Sequence, residues 1–402
     1  MLYIKNKIVP LILILPLALT ACNQETTSQE NLKNTTTDFN QLALVTHLTD
    51  NIISPIFEQF QLDARAQQVA IDTYCNAEIS STGSSEALSN IELDKANAQL
   101  KWRSSMATWQ QAEQMLLGPL LDNDGSLRNK IYSWPIINTC GVDNDVMYLK
   151  NDSVNGKPYD ITLRAPSRKS LAALDYLLFN NDLADSCEAG ASPPGWSSLT
   201  EQEQKIARCS FAVEVAADIE NNADILISSW LASDGYAKKL KNAGKEGSSF
   251  DSAHEAVNTI SDAMLYVDST TKDGKLAIPL GLLDNSCDAS VCPEEVESPY
   301  SQNSFNNIVN NLIGFKKLLT GEGTFGFTDY LIDVGDQVIA DSMLENTNRA
   351  INELSGVEVT LTQALNTDST PATQTHTNVK AITDQLKTDF INSLALELPA
   401  TS

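Results

Sequence analysis

The sequence predicts an all-α protein with two helical bundles in tandem. Apolar residues recur at the three- and four-residue spacing of amphipathic helices over most of the chain. The alternation typical of strands is scarce, and much of the Gly and Pro falls in loops such as Pro193-Pro194-Gly195. Because 402 residues exceed one typical domain, the helices are expected to form two bundles.

The first 21 residues have the order of a bacterial lipoprotein signal peptide. Lys5 and Lys7 precede an apolar run over residues 8–19, and Leu19-Thr20-Ala21 leads directly into Cys22. The run is shorter than the roughly 20 residues of an ordinary transmembrane helix. Cysteine in this position resembles the lipobox, which predicts cleavage before Cys22 and a lipid anchor on it. The alternative is a plain secreted protein with an incidental cysteine.

The segment from residue 22 to residue 40 is predicted to be a flexible tether, because it is polar and has too few apolar residues to pack. No later segment is long and apolar enough to span a bilayer. We therefore expect a soluble body on the periplasmic side of the cell envelope. Asn23 does not match the Asp signal for the inner membrane, which favours the outer membrane.

The chain is strongly acidic. Its net charge is −25, and removal of the signal peptide with its two lysines gives −27. Such a charge excludes nucleic acid as a partner, since phosphates would be repelled. It leaves two interpretations open: an ordinary solvated surface, or an acidic face that attracts cations or cationic partners.

Six cysteines remain besides Cys22, an even number that predicts disulfides in an exported protein. A zinc site of thiolates is less well supported, because no pairs show the usual spacing. Cys287 and Cys292 flank a tight loop, and the next pair brackets the loop at residues 193–195. The predicted pairs are Cys287–Cys292, Cys187–Cys209 and, from the remaining cysteines, Cys75–Cys140.

Several predicted helices have recognisable boundaries. Pro55 should kink the first helix, Ser167 can cap a later one, and Thr200 with Glu203 forms a capping box. Residues 41–215 are assigned to the first bundle and 216–402 to the second, with the boundary placed loosely between about 195 and 235. The predicted helices cover residues 42–76, 85–117, 167–178, 200–231, 250–267, 304–319, 328–354 and 373–396.

Standard catalytic motifs are largely missing. His254-Glu255 begins like a thermolysin-type zinc motif, but the position of the second histidine is Asn258. The chain has three histidines, far apart in sequence. There is no Gly-x-Ser-x-Gly nucleophile elbow and no phosphate-binding loop.

Short segments along nearly the whole mature chain resemble the imelysin family. The order of these segments along the chain identifies the family more specifically than any single segment does. They are Trp102-Arg103, Trp109-Gln110-Gln111-Ala112-Glu113, Gly118-Pro119, Ile131-Tyr132-Ser133-Trp134-Pro135, Ser170-Leu171-Ala172-Ala173-Leu174-Asp175-Tyr176-Leu177-Leu178-Phe179, Lys275-Leu276-Ala277-Ile278-Pro279-Leu280-Gly281 and Glu297-Ser298-Pro299-Tyr300-Ser301.

The segment at residues 170–179 resembles the Gly-x-His-x-x-Glu helix of that family and departs from it at three positions. Ser170 stands for the Gly, Ala172 for the His and Asp175 for the Glu. Alanine can neither bind a metal nor move a proton, whereas Asp175 keeps a carboxylate. The resemblance implies two four-helix bundles with a shared site and an envelope protein often linked to iron. Some members are described as metallopeptidases, and others as metal or polysaccharide binders.

The candidate site is a cleft between the bundles. Each residue also has a structural explanation. Glu113 could be exposed or, if buried, paired with Arg103 or Arg164; Asp175 could be fixed by a neighbouring helix; Trp134 could shape a loop; and residues 297–301 could cap a helix. The candidate binding residues are Asp175, Glu113, Arg103, Trp134, Glu297, Ser298 and Ser301.

Two functions remain open from the sequence. The first is a non-enzymatic binding lipoprotein for iron or another metal, with a divalent or ferric ion held by oxygen ligands and other envelope proteins as further partners. The second is a metallopeptidase. The missing histidine separates them, because a catalytic zinc usually has histidine among three protein ligands.

Overall fold

The computed structural model describes residues 38–399 and confirms the predicted all-α fold. Within these residues the only β pairing is an isolated bridge between Val154 and Lys157. None of the described helices is long and apolar enough to cross a membrane. The predicted signal peptide, Cys22 and most of the predicted tether lie outside the described residues.

The first half is built on three long helices, α2 (Ser54–Ile79), α3 (Ser85–Ala112) and α7 (Glu201–Leu231). Pro55 lies in the first turn of α2, just after a π-helical segment at Thr49–Ile53. The predicted capping box at Thr200 and Glu203 is confirmed at the start of α7. The helices are α1 (Gln41–Leu48), α2 (Ser54–Ile79), α3 (Ser85–Ala112), α4 (Asp122–Ile131), α5 (Thr139–Lys150), α6 (Leu171–Phe179) and α7 (Glu201–Leu231).

The second half has shorter helices and two further π-helical segments, Val267–Ala277 and Leu386–Phe390. The predicted helix at 328–354 is divided in two, and Gly335 in the break has a φ of 89° that favours glycine. The helices are α8 (Tyr236–Lys241), α9 (Ala253–Met264), α10 (Ser304–Thr324), α11 (Phe327–Asp333), α12 (Gln337–Ser355), α13 (Leu361–Thr367), α14 (Thr370–Gln385) and α15 (Ile391–Ser393).

Two capping expectations are wrong. Helix α6 begins at Leu171, and its cap is Ser170 rather than Ser167, because the Ser170 Oγ accepts the backbone N–H of Ala172 at 3.3 Å. Helix α10 begins at Ser304 after Asn303, and no side chain caps it. Ser298 and Ser301 therefore do not cap this helix.

Helix α2 packs between α3 and α7, and α10 packs on α3 to join the two halves. The contact between α3 and α10 is close. A Cβ on Gly314 would come within 2.6 Å of the Gln111 carbonyl oxygen, so only glycine fits there. This approach sets α10 against the end of α3 and thereby places residues 297–303, just before α10, beside the first half.

The N-terminal helix α1 contacts α9 and α10 of the second half. Phe39, which falls in the predicted tether, stacks on Tyr330 with ring centroids 4.4 Å apart. The predicted bundle boundary at 215/216 falls inside α7, and the division of the chain into two bundles at that point stays a prediction.

The structure corrects two of the three predicted disulfides. Cys287–Cys292 is confirmed, but Cys75 pairs with Cys209 and Cys140 pairs with Cys187. Cys75 and Cys209 lie on α2 and α7, which pack side by side, so their Cα atoms are 5.2 Å apart. Cys140 lies in the first turn of α5, and its partner Cys187 lies in the loop that follows α6. The pairing follows helix neighbours and could not be read from the spacing along the chain.

Candidate functional site

A cavity of about 270 Å³ lies beside helix α6. Its walls are formed by α6, the loop around Trp134, the π-helical segment Val267–Ala277 and the irregular segment before α10. The Trp134–Pro135 peptide bond is cis. We call this the α6 cavity; the residues that line it are Tyr132, Trp134, Pro135, Ile137, Ala172, Asp175, Ser269, Thr270, Gly274, Ile278, Glu294, Glu295, Val296, Ser298, Pro299 and Tyr300.

Asp175 is a buried carboxyl group whose two oxygens accept backbone N–H groups. The Ser301 N–H donates to Oδ1 at 3.0 Å and the Tyr300 N–H donates to Oδ2 at 3.2 Å. Burial raises the pKa of Asp175 to about 6, although the hydrogen bonds from Ser301 and Tyr300 and the nearby Arg103 act in the opposite direction. Asp175 thus ties α6 to the segment before α10.

Ser170 and Ala172 occupy the other two positions of the motif. Ala172 lines the cavity with its methyl group. Ser170 is wholly buried, and its Oγ lies 3.0 Å from Ser133 Oγ. Its φ of 120° with ψ of 176° belongs to a region that glycine adopts readily and other residues rarely. This backbone geometry explains why a glycine suits the first motif position.

Arg103 lies behind the cavity rather than against Glu113. Its guanidinium donates to Asn303 Oδ1 at 2.7 Å and to the Ser301 carbonyl at 2.8 Å, and stacks over the Phe179 ring at 4.9 Å. The expected pairing of Glu113 with Arg103 or Arg164 is wrong. Arg103 lies on α3 ten residues before Glu113, which directly follows that helix, so the two residues are about 15 Å apart along the helix axis.

Glu113 and Glu297 belong to a buried charge network, formed by Glu113, Arg128, Lys275 and Glu297. Arg128 donates to Glu113 Oε1 at 3.0 Å, and the Lys275 Nζ lies 3.0 Å from Glu297 Oε1 and 3.8 Å from Glu113 Oε2. Glu113, Lys275 and Glu297 are fully buried. Two acids and two bases therefore face each other at the junction of the halves.

Neutral hydrogen-bonding groups surround this network. The Tyr266 hydroxyl donates to Glu113 Oε2 at 2.5 Å and the Tyr132 hydroxyl donates to Glu297 Oε1 at 2.6 Å. Burial raises the pKa of both tyrosines well above the usual value, so they stay protonated donors. The Lys275 Nζ also donates to Asn311 Oδ1 at 2.8 Å and to Gln110 Oε1, and lies 5.7 Å from the Trp134 ring centroid.

The structure thus brings five of the predicted residues together in one region and separates the other two from the cavity. Asp175, Trp134 and Ser298 line the cavity. Ser301 donates its N–H to Asp175, and Arg103 donates to the Ser301 carbonyl. Glu113 and Glu297 lie in the charge network. Sequence reasoning missed Lys275, Arg128, Tyr132 and Tyr266. A lysine directly before Leu276-Ala277-Ile278 was the one available sign of a buried cation.

Metal ligands do not converge in the α6 cavity. Among residues 38–399, the one group of three close ligand atoms is Cys287, Cys292 and Glu294, and both cysteines are in a disulfide. His254 lies elsewhere, with Nε2 3.0 Å from the Ala395 carbonyl oxygen. The cavity has aromatic walls and three carboxyl groups in its lining, those of Asp175, Glu294 and Glu295.

The comparisons with known proteins agree with this architecture. The Imelysin family model matches residues 53–388. A protein from Parabacteroides distasonis, described as an iron-regulated protein A precursor, has 16% identity and a TM-score of 0.66 over 88% of this chain and 94% of its own. An imelysin-like protein from Psychrobacter arcticum has 15% identity and a TM-score of 0.61 over 90% and 99%. No curated protein sequence matches significantly. The chain therefore belongs to the imelysin family.

Proposed function

We propose that this protein is a non-enzymatic binding lipoprotein of the bacterial cell envelope that takes its ligand in the α6 cavity. The observation that carries the proposal is the chemistry of two motif residues on helix α6. Ala172 presents a methyl group to the cavity, and both oxygens of Asp175 already accept backbone N–H groups. Neither residue is equipped to hold a catalytic zinc with an activated water.

The cavity walls suggest the kind of ligand. Tyr132, Trp134 and Tyr300 supply aromatic surface, and Asp175 with Ser298 supplies a few polar groups. Such a mixture is typical of sites for small organic molecules. A link to iron or another metal is supported by the family and by the description of the Parabacteroides distasonis protein. Because Asp175, Glu294 and Glu295 do not bring three ligand atoms close together, a divalent or ferric ion would have to arrive with donor atoms of its own.

Ligand binding can be tested by calorimetric titration of the purified full-length protein with ferric citrate and, separately, with Ca²⁺. We expect ferric citrate to bind and Asp175→Asn to weaken its binding at least tenfold. The control variant is Asp384→Asn, which changes an exposed carboxylate that pairs with Lys380 and does not line the cavity. Equal binding by all three proteins, or by none, would argue against the α6 cavity as the site.

A peptidase assay tests the alternative function. We expect no cleavage of unfolded casein, with or without added Zn²⁺, because the motif histidine is missing. Cleavage that a chelator abolishes would overturn the non-enzymatic assignment.

The lipid anchor is a separate part of the proposal, and it rests on the sequence of the first 22 residues. Cys22→Ser should release the protein from the membrane fraction or leave the precursor uncleaved. A Cys22→Ser protein that matures and stays membrane-bound would contradict the lipoprotein assignment. Fractionation of inner and outer membranes tests the proposed outer-membrane location.

A further inference from the structure

A second cavity lies on the other side of the Trp134–Pro135 wall. It has a volume of about 790 Å³ and is open to solvent along one side. Trp134, Pro135, Ser269 and Thr270 line both cavities. Other parts of its wall come from α9, the π-helical segment Val267–Ala277 and the C-terminal residues 398–399. We call it the C-terminal groove.

The walls of the groove are mostly apolar. Leu121 and Leu398, both about half exposed, stand at its surface, so the apolar character continues to the solvent edge. The C-terminal stretch is held in place by α9. Asn258 Oδ1 accepts the Glu397 N–H at 2.7 Å, and the Ala395 carbonyl lies 3.0 Å from His254 Nε2.

Two cations line the groove, and both are already neutralised. Arg128 is paired with Glu113 at 3.0 Å. Lys387 is paired with Asp268 at 2.9 Å. Asp268 also accepts from Lys272. These pairs contribute no free positive charge to a ligand.

Asp262 is the exception among the charged residues of the groove. No cation pairs with it in the described part of the chain. Its Oδ1 is buried without a hydrogen-bond partner, and its Oδ2 accepts one long bond of 3.4 Å from Asn258. Glu397 is its acidic neighbour. An ionised carboxyl group on a largely apolar wall lacks the donors that normally compensate burial.

We propose that the C-terminal groove binds a small organic cation, with its ammonium group at Asp262 and its apolar body along the wall formed by Leu265, Tyr266 and Trp134. An ammonium group supplies both the positive charge and the N–H donors that Asp262 lacks. The apolar body would also cover Leu121 and Leu398, the two half-exposed leucines at the surface of the groove. This site is distinct from the α6 cavity and does not depend on the function proposed there.

The test compares two probes of nearly the same shape, 2-phenylethylamine and 2-phenylethanol, by calorimetry with the purified full-length protein. The amine should bind, and the alcohol should bind at least tenfold more weakly, because only the amine carries a charge. Asp262→Asn should weaken amine binding at least tenfold and leave alcohol binding unchanged. Asp175→Asn, in the other cavity, should leave amine binding unchanged.

A second variant keeps the test decisive if Asp262→Asn is poorly folded. Thr259→Trp narrows the groove without removing the carboxylate, and it should weaken the binding of the amine. The pH provides another reading, since burial and Glu397 raise the pKa of Asp262 to about 6. Amine binding should therefore be weaker at pH 5 than at pH 7.5.

Three results would overturn the proposal: no amine binding by the wild type, equal binding of amine and alcohol, or loss of amine binding in Asp175→Asn with no loss in Asp262→Asn. The last result would place the amine in the α6 cavity. It would leave the second groove without a function and the first proposal intact.

Discussion

The buried charge network and the Asp175 carboxyl group both lie at the junction of the two halves, but their buried charges are compensated in different ways. In the network, Glu113 and Glu297 face Arg128 and Lys275, so opposite charges compensate each other. Asp175 has no direct ion pair among the described residues and is held by two backbone N–H groups. The pKa of Asp175 is accordingly raised to about 6.

The difference separates a fixed element from an adjustable one. In a buried ion pair, loss of one member leaves an uncompensated buried charge. A lone carboxyl group with a pKa near 6 can gain or lose a proton under mild conditions. We therefore expect the network to dominate stability and the α6 cavity to respond to pH and ligands.

Removal of Lys275 should have the largest effect. Lys275→Met keeps most of the side-chain volume but leaves Glu297 without its cation. We expect the free energy of unfolding to fall by about 3–5 kcal/mol, measured by urea denaturation at pH 7.5.

The matched control is Lys380→Met, which removes the cation from an exposed pair with Asp384. That change should cost less than about 1 kcal/mol. Similar losses in the two variants would mean that the network contributes no more than a surface pair, and the comparison would fail.

Asp175 should make stability depend on pH. Its folded-state pKa is raised to about 6, so the folded state holds the proton more tightly than the unfolded state. Stability from this group is therefore present below about pH 4 and is lost as the pH rises through 6. The shift of about two units corresponds to about 3 kcal/mol.

The measurement compares urea unfolding of the wild type and of Asp175→Asn at pH 4.5 and pH 7.5. The wild type should lose about 2 kcal/mol more than the variant over this range, because pH 4.5 is still above the ordinary pKa of 3.8 and part of the full effect lies at lower pH. If the two proteins show the same pH dependence, the pKa of Asp175 does not differ between the folded and unfolded states.

Ala172→His tests the adjustable region by restoring the motif histidine. The imidazole can enter the α6 cavity, so the free energy of unfolding should change by less than about 1 kcal/mol. With Asp175 it supplies two ligands, fewer than the three of a catalytic zinc site. We expect weak zinc binding by equilibrium dialysis and no casein cleavage. A loss comparable to that of Lys275→Met would show that this cavity is as tightly packed as the network.

Ser170→Gly should have the smallest effect and the opposite sign. The change relieves a backbone conformation that costs about 1–3 kcal/mol in residues other than glycine, and loses the bonds of the Ser170 hydroxyl. We expect a net gain of about 0.5–1 kcal/mol. The control is Ser84→Gly at the N-cap of α3, where φ is −70° and no strain is relieved. That variant should be slightly destabilised. A loss in both variants would contradict the strain argument.

Much of the candidate site was predictable because it is local. The motif positions Ser170, Ala172 and Asp175 follow each other on one helix, and the resemblance placed the segment at 297–301 near them. The prediction did not separate the carboxylate in the cavity from the carboxylates in the charge network. Glu113 was expected in the cleft, but Arg128 and Tyr266 draw it into the charge network. Arg128 lies in α4, and a loop with a 3-10 helix at Gly118–Leu120 separates α4 from Glu113. Its position could therefore not be derived from helical spacing.

The sequence by itself determined the helical class, the capping box at Thr200 and Glu203, and the disulfide between Cys287 and Cys292. Each depends on residues a few positions apart, where spacing fixes geometry. The tertiary structure decided the partners of Cys75 and Lys275. Cys209 is 134 residues from Cys75, and Lys275 meets Gln110 165 residues away. Such contacts depend on which helix faces pack together, and the periodicity of a helix identifies its apolar face but does not specify the face that covers it.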